Sequence, residues 1–436
     1  MIAVLTVGAV LILYSAVSGP LDRRSVTSAM AFVTVGFLIG PRVLDLLHVS
    51  LESATVERVT ELALVFLLFG DSARLDLGRL RREFGWPSRL LLIGLPLTMV
   101  AGFGAGLLVL PAIGLANAFL LSTMVCSTDA ALGQRVVEDP AVPARVRQAL
   151  DVESGLNDGL AVPFFLVALD ISMATLDRAV PAAVAREAAS QIGWGVAAGV
   201  GVGALAGLIF RYSDKRGWLQ GEWLQIFTLA VALTAWAVAG ALGGSGFIAA
   251  FVGGMAFGQV SRQHGPRVSY LTEQAGGLLA AIVWIGFGAL AISRVLHDIT
   301  WQVILYALIS LTVVRMLPVA LAMFHSGAAR PTVAFLGWFG PRGLASVVFA
   351  LLALERGIPQ ARTVLTTVTV TVALSVFLHG LTAAPLVAAY HRWYAAAQAR
   401  RPTALTEATP THMPRRPRRS HPGNPEEGLA VDAANP

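Results

Sequence analysis

Apolar stretches of nearly constant length run the whole way along the chain, each closed by a short turn that is charged or rich in glycine. A membrane-crossing helix needs about 20 mostly apolar residues. Stretches of that kind fall at 1–18, 27–47, 58–75, 87–110, 112–137, 146–174, 187–211, 221–242, 244–260, 271–295, 300–324, 330–353 and 363–391. The pattern predicts an all-α polytopic membrane protein of about thirteen transmembrane helices, with no room for a soluble catalytic domain. Gly243-Gly244-Ser245-Gly246 parts the eighth stretch from the ninth and reads as a break for close helix packing. Two stretches are interrupted at comparable places in the two halves, the fifth around Ser127-Thr128-Asp129 and the twelfth around Gly340-Pro341-Arg342-Gly343. This symmetry predicts an inverted repeat of six plus six helices. Interrupted helices in matching positions point to a binding site near the bilayer midplane.

The loops test this count. Short cytoplasmic loops collect Lys and Arg. Alternate loops carry Arg23 and Arg24; Arg74, Arg79, Arg81, Arg82 and Arg89; Arg135, Arg145 and Arg147; Arg211, Lys215 and Arg216; Arg262 and Arg267; and Arg330. The intervening loops hold few, such as Arg178, Arg186, Arg294, Arg356 and Arg362. The alternation favours an odd number of spans, an N-terminus outside and a C-terminus in the cytoplasm of a bacterial-type inner membrane. The first stretch lacks the basic leader of a signal peptide and has its positive charge after the apolar run, so it reads as a first span. Residues 1–392 form one membrane domain on this reading. Residues 393–436, with Arg415-Arg416-Pro417-Arg418-Arg419 among Pro, Asn and Glu, read as a disordered cytoplasmic tail.

Composition agrees. The chain is 56% hydrophobic and 13% charged, with a mean hydropathy of +0.69, against about 25% charged in soluble domains. The net charge of +6 belongs to the loops and the tail, so nucleic acid is not an expected partner and membrane lipid is. One cysteine, Cys126, excludes an internal disulfide, and no His spacing suits a transition metal; no cofactor is expected.

Acids then change the picture. Cys126-Ser127-Thr128-Asp129-Ala130 and Asp151-Val152-Glu153-Ser154-Gly155-Leu156-Asn157-Asp158-Gly159 lie inside apolar stretches. An ionised residue at mid-bilayer costs about 2.5–3.5 kcal/mol on insertion scales, and such residues mark ion or proton pathways. Ser154 and Asp158 are four apart, as are Glu153 and Asn157, so the two pairs form adjacent rows on one helix face. A desolvated carboxylate can hold a proton or a cation but not both, which suits Asp158 to exchange. Glu153 needs a fixed partner, and the intramembrane Arg315 is the obvious one. Arg342 offers a second base, suited to a broken helix end. At Thr128 and Asp129 an unwound backbone would free carbonyl oxygens for a hard cation, and Asp129 either ligates the ion or caps the broken helix. Asp71 and Asp76 are expected to pair with Arg74 and Arg79 at the interface; the alternative for Asp71 is to line an entry funnel. Gly159 and Pro163 are expected to loosen the helix beyond Asp158.

These residues resemble a known family. Thr128-Asp129 with Glu153-Ser154-Gly155-Leu156-Asn157-Asp158-Gly159 is similar to the paired signatures of the monovalent cation:proton antiporter-1 family, the NhaP-type sodium/proton antiporters. Residues 246–254, Arg315, and Trp338-Phe339-Gly340-Pro341-Arg342-Gly343 agree, and the likeness spans roughly 1–392. The resemblance implies Asp158 as the proton and cation carrier, with Thr128, Asp129, Ser154 and Asn157 around the cation and no transition metal. It implies a Glu153–Arg315 ion pair, electroneutral one-for-one exchange, interleaved core and dimerisation helices, a homodimer, and an elevator-like shift of the core. The partners it implies are a proton and sodium, lithium or potassium, in pH and sodium homeostasis, with potassium/proton exchange as the alternative. The chain departs from many relatives in having Ala130 where they have Pro. Two rivals come from other classes: an intramembrane enzyme, which no Ser/His pairing supports, and an ion channel.

Overall fold

The computed structural model describes residues 2–47, 50–51, 53–75, 78, 85–177, 181–262, 266–400 and 407, and every regular element among them is helical. In chain order these are α1 (Ile2–Arg23), α2 (Ser28–Ile39), α3 (Ala54–Ala73), α4 (Trp86–Val109), α5 (Gly114–Met124), α6 (Ala130–Glu138), α7 (Ala144–Asp177) and α8 (Pro181–Lys215). They continue as α9 (Trp223–Ala241), α10 (Gly246–Ser261), α11 (Pro266–Gly286), α12 (Trp301–Leu311), α13 (Val313–Ala322), α14 (Arg330–Trp338), α15 (Leu344–Glu355) and α16 (Ala361–Arg400). Among the described residues, eight helical runs are long and apolar enough to cross a membrane, with Trp301–Ala322 counted as one run. The other expected crossings fall on shorter or interrupted helices, so length and apolarity alone do not reach thirteen.

Both predicted interruptions exist. The fifth stretch divides into α5 and α6 around 125–129, and the twelfth into α14 and α15 around 339–343. A third break was not foreseen: the eleventh stretch divides at Thr312 into α12 and α13. The Thr312 hydroxyl donates to the Leu308 carbonyl at 2.6 Å. Pro318 has no N–H to offer the carbonyl of Val314. The sixth stretch behaves in the opposite way. Pro163 lies inside α7, yet the helix runs unbroken from Ala144 to Asp177. Gly159 does not loosen it; the residue leaves space for the Phe251 ring of α10.

α1 lies at the margin, with Val10 its one buried residue and Ile2, Leu5, Ile12 and Leu13 exposed as a lipid-facing surface would be. At the other end, α16 runs past residue 392 to Arg400. Glu407 beyond it is buried, and its Oε1 accepts the Ala329 N–H at 2.9 Å and the Thr332 hydroxyl at 2.8 Å. A tail residue thus caps α14, whose N-cap Ala329 has no side chain able to do so.

The closest helix packing follows from small residues. In lipid, apolar side chains gain little by leaving their surroundings, so helices associate where small residues let backbones approach. Gly195, Gly199, Gly203 and Gly207 recur every four residues along one face of α8. A Cβ there would meet the carbonyls of Ser245 (2.9 Å from Gly195) and Ala249 (2.7 Å from Gly199), that of Gly253, and the Val260 side chain in turn. Gly201, on the opposite face, has nothing within 4 Å of such a Cβ. Gly203→Val should therefore cost about 1–3 kcal/mol through overpacking and lower the melting temperature in detergent, while Gly201→Val leaves it in place. Equal melting temperatures for the two variants would refute this packing.

Candidate functional site

The two interrupted crossings meet, and their charged residues are exchanged between them. Asp129 is the N-cap of α6: its Oδ1 accepts the N–H groups of Ala131 (2.7 Å) and Leu132 (3.3 Å). Its Oδ2 accepts the Leu344 N–H at 2.9 Å, which begins α15, and its own N–H donates to the Pro341 carbonyl at 2.8 Å. One carboxylate therefore caps two helices whose positive ends point at it. Ala130 occupies the first helical position, where Pro is tolerated because that N–H has no partner within the helix. The break stands without Pro because the Asp129 side chain makes it.

Arg342 works in the reverse direction. Its Nη1 donates to the carbonyls of Cys126 (2.7 Å) and Ser127 (3.2 Å) at the C-terminal side of α5. The base expected to offset the break in its own crossing thus offsets the break in the other one, since its own side of the break begins a helix and is already positive. Those two carbonyls consequently face a guanidinium. Gly343 and Gly340 are dictated by the same geometry. A Cβ on the first would overlap the Asp129 carboxylate, and one on the second would overlap the Arg315 guanidinium.

On α7, Glu153 and Arg315 form the expected ion pair. Nη1 donates to Oε1 at 2.5 Å and Nη2 to Oε2 at 2.9 Å, with both residues 2% exposed. The bond is bidentate, which suits the planar guanidinium and leaves neither charge uncompensated. It joins α7 to the first turn of α13. Arg315 also donates to the Leu336 carbonyl of α14 at 3.4 Å.

Asn157 brackets Thr128. Its Nδ2 donates to Thr128 Oγ1 at 2.5 Å and its Oδ1 accepts the Thr128 N–H at 3.2 Å. The Thr128 and Ser154 hydroxyls lie 3.2 Å apart. Thr128, Ser154 and Asn157 are all buried, so this is a fixed wall of hydroxyl groups. Asp158 lies one turn on from Ser154 and is only partly buried. The Ser127 hydroxyl is placed to donate to its carboxylate, and Asp129 and Asp71 lie within electrostatic reach. No ion pair to Asp158 is present among the described residues.

Arg74, expected beside Asp71, pairs with Glu273 of α11 and bonds Ser269; Asp76 and Arg79 lie outside the described residues. Asp71 faces α7, its Cβ 3.6 Å from where a Cβ on Gly155 would stand, one turn from Asp158. The glycine opposite it was the available signal: a small residue at 155 makes room for a side chain from a neighbouring helix.

A family model described as "Sodium/hydrogen exchanger, transmembrane" matches residues 7–389. The chain belongs to the sodium/hydrogen exchanger family. It is similar to the K(+)/H(+) antiporter NhaP of Alkalimonas amylolytica, 26% identical over 90% of this chain and 67% of that protein. It is also similar to the K(+)/H(+) antiporter NhaP2 of Shewanella sp. (strain ANA-3), 25% identical over 82% of this chain, and spans 61% of that relative's length. Among solved structures it resembles the sodium proton antiporter MjNhaP1 of Methanocaldococcus jannaschii, with a TM-score of 0.69 at 19% identity, covering 87% of this chain and 99% of the other. That likeness carries the antiporter fold.

The ion pair gives the site its first test. Arg315→Ala strands a buried carboxylate and should cost about 3–5 kcal/mol, seen as lost expression or a lower melting temperature. Adding Glu153→Gln should recover much of that loss. A double variant no more stable than Arg315→Ala would show that the pair is not coupled.

Proposed function

We propose that the protein is a secondary antiporter exchanging protons for monovalent cations, with Asp158 as the shared carrier. The observation that carries this reading is a half-buried carboxylate without an ion-pair partner among the described residues, set where two broken helices cross. The other described charges at the two breaks and on the same face of α7 have structural partners. Asp129 is committed to two helix ends, Arg342 to a third, and Glu153 and Arg315 to each other. Asp158 can therefore change partner without breaking the scaffold.

The chemistry follows from competition. A proton on Asp158 removes the charge that would hold a cation, and a bound cation disfavours the proton. One carboxylate trading one proton for one cation moves no net charge, which supports electroneutral exchange. The hydroxyls of Ser127, Thr128 and Ser154 are hard oxygen donors beside it, suited to a monovalent ion. Asp129 and Asp71 add negative potential that draws a cation in. Sodium is the cation the family's description favours; potassium is the second reading, favoured by the names of the NhaP and NhaP2 relatives. The arginine-rich loops support a cytoplasmic C-terminus in a bacterial-type inner membrane, and the family resemblance supports a homodimer working in pH and sodium homeostasis. Lipid would cover the exposed apolar faces of α1, α8 and α9.

The decisive measurement is collapse of an imposed pH gradient in proteoliposomes on adding sodium or potassium. Wild-type protein should dissipate the gradient, and Asp158→Asn should not, while melting at the wild-type temperature. A channel would instead give ion currents without proton coupling, and an intramembrane enzyme would give neither. Cation-driven exchange that survives Asp158→Asn would remove the carrier assignment.

Asp71→Asn should keep the exchange but raise the apparent KM for the cation about threefold to tenfold, as the loss of a nearby, partly screened charge implies. An unchanged KM would remove Asp71 from the site.

A further inference from the structure

The breaks at 125–129 and 339–343 leave four helix ends inside the protein, and three of them are served by Asp129 and Arg342. The fourth is the C-terminal end of α14, where Phe339 begins the unwound segment. There the Leu336 carbonyl accepts Arg315 Nη2 at 3.4 Å and the Trp338 carbonyl accepts the Gly340 N–H at 2.8 Å; an unsatisfied carbonyl in a membrane interior is expensive. A further partner comes from a third element. His379 of α16 places Nε2 3.0 Å from the Trp338 carbonyl.

Each ring nitrogen faces a carbonyl, which can only accept, so the neutral ring donates either from Nε2 to Trp338 or from Nδ1 to Ser375. Nδ1 lies 3.2 Å from the Ser375 hydroxyl, one turn earlier on α16, and 2.9 Å from the Ser375 carbonyl. With the proton on Nε2, the Ser375 hydroxyl can donate to Nδ1 while its oxygen accepts the Arg342 N–H at 2.6 Å. One turn of α16 therefore bridges the whole gap, from the Trp338 carbonyl on one side to the Arg342 amide on the other. Both residues are buried, at 0% and 2% exposure. A second tie lies just beyond, where Trp338 Nε1 donates to Thr382 Oγ1 at 3.0 Å. Between the bridged points lies Pro341, whose carbonyl accepts the Asp129 N–H, and just after them lies Leu344, whose N–H caps on Asp129. The length of the unwound segment is thus set by α16, and the place of Asp129 by that segment.

We propose that Ser375 and His379 are positioning residues for cation exchange, fixing the unwound segment 339–343 and through it the Asp129 side of the cation site. The inference rests on the reading of Asp158 and Asp129 given above, and neither residue touches the cation. His379 also packs its ring beside Trp338, with centroids 5.3 Å apart, so deletion of the ring alone would mix packing with hydrogen bonding. Gln separates the two, since its side-chain amide can still donate to the Trp338 carbonyl.

The test uses the full chain in proteoliposomes, reading initial rates of gradient collapse against sodium and potassium concentration. His379→Leu and Ser375→Ala should each raise the apparent KM for the cation about tenfold, the effect of one buried hydrogen bond, with a maximal rate changed less than KM. His379→Gln should restore a KM near wild type. Asp158→Asn, run in parallel, separates the two ideas: if it still exchanges, the site reading itself fails. If it is inactive while His379→Leu and Ser375→Ala keep the wild-type KM, the positioning role fails. A melting temperature lowered by Ser375→Ala with KM unchanged would likewise assign the bridge to stability alone and overturn the inference. Should His379→Leu not fold, Ser375→Ala, which removes one hydroxyl, decides the matter by the same KM.

Discussion

Unwinding a helix inside a membrane exposes backbone polar groups where no water can satisfy them. The architecture around residues 125–129 and 339–343 is the answer to that constraint, made twice and interlocked. Asp129 satisfies the beginnings of both second halves, and Arg342 the end of one first half. Each charge is held by partial charges of opposite sign on the other crossing, so neither break is stable without its counterpart. The glycines at 340 and 343 follow, because the chain must come close enough for those contacts to form.

This arrangement divides the intramembrane charges into two kinds. Glu153 and Arg315 neutralise each other in a bidentate contact and connect α7 to α13. Such a pair adds little net stability but is costly to break from one side, so it locks geometry more than it lowers energy. Asp158 stands a turn and a half further along α7, near a wall of hydroxyls and two more carboxylates. It has no ion-pair partner among the described residues, so a fixed pair and an unpaired carboxylate share one helix.

The scaffold around the crossing is built differently. α8 and α10 approach through a glycine row and not through large side chains. α7 carries Pro163 without breaking, which keeps Glu153, Ser154, Asn157 and Asp158 on one continuous face. Long-range likeness fits this economy. A TM-score of 0.69 at 19% identity shows a shared fold with few residues in common.

Much of this was legible in the chain itself. Apolar length gave the helices, and residues that disrupt helices inside two apolar stretches marked the breaks. The cost of burying acids singled out Asp129, Glu153 and Asp158, and the demand for a compensating cation led to Arg315. These are local or one-body properties, and a sequence carries them directly. What lay beyond it was which group meets which across the fold. The same composition allowed Arg342 to serve its own break or the other; only the crossing of α5–α6 with α14–α15 decided between them, and it placed Asp129 as a cap on two helices. Asp71 reads as an interfacial acid or a funnel residue until α3 is laid against Gly155, and Thr312 gives no warning of a break. His379, Ser375 and Glu407 look unremarkable in sequence because their partners are 33 to 78 residues away. A hydrogen bond is directional and short-ranged, so its partner is fixed by the folded path of the chain and not by the residue alone.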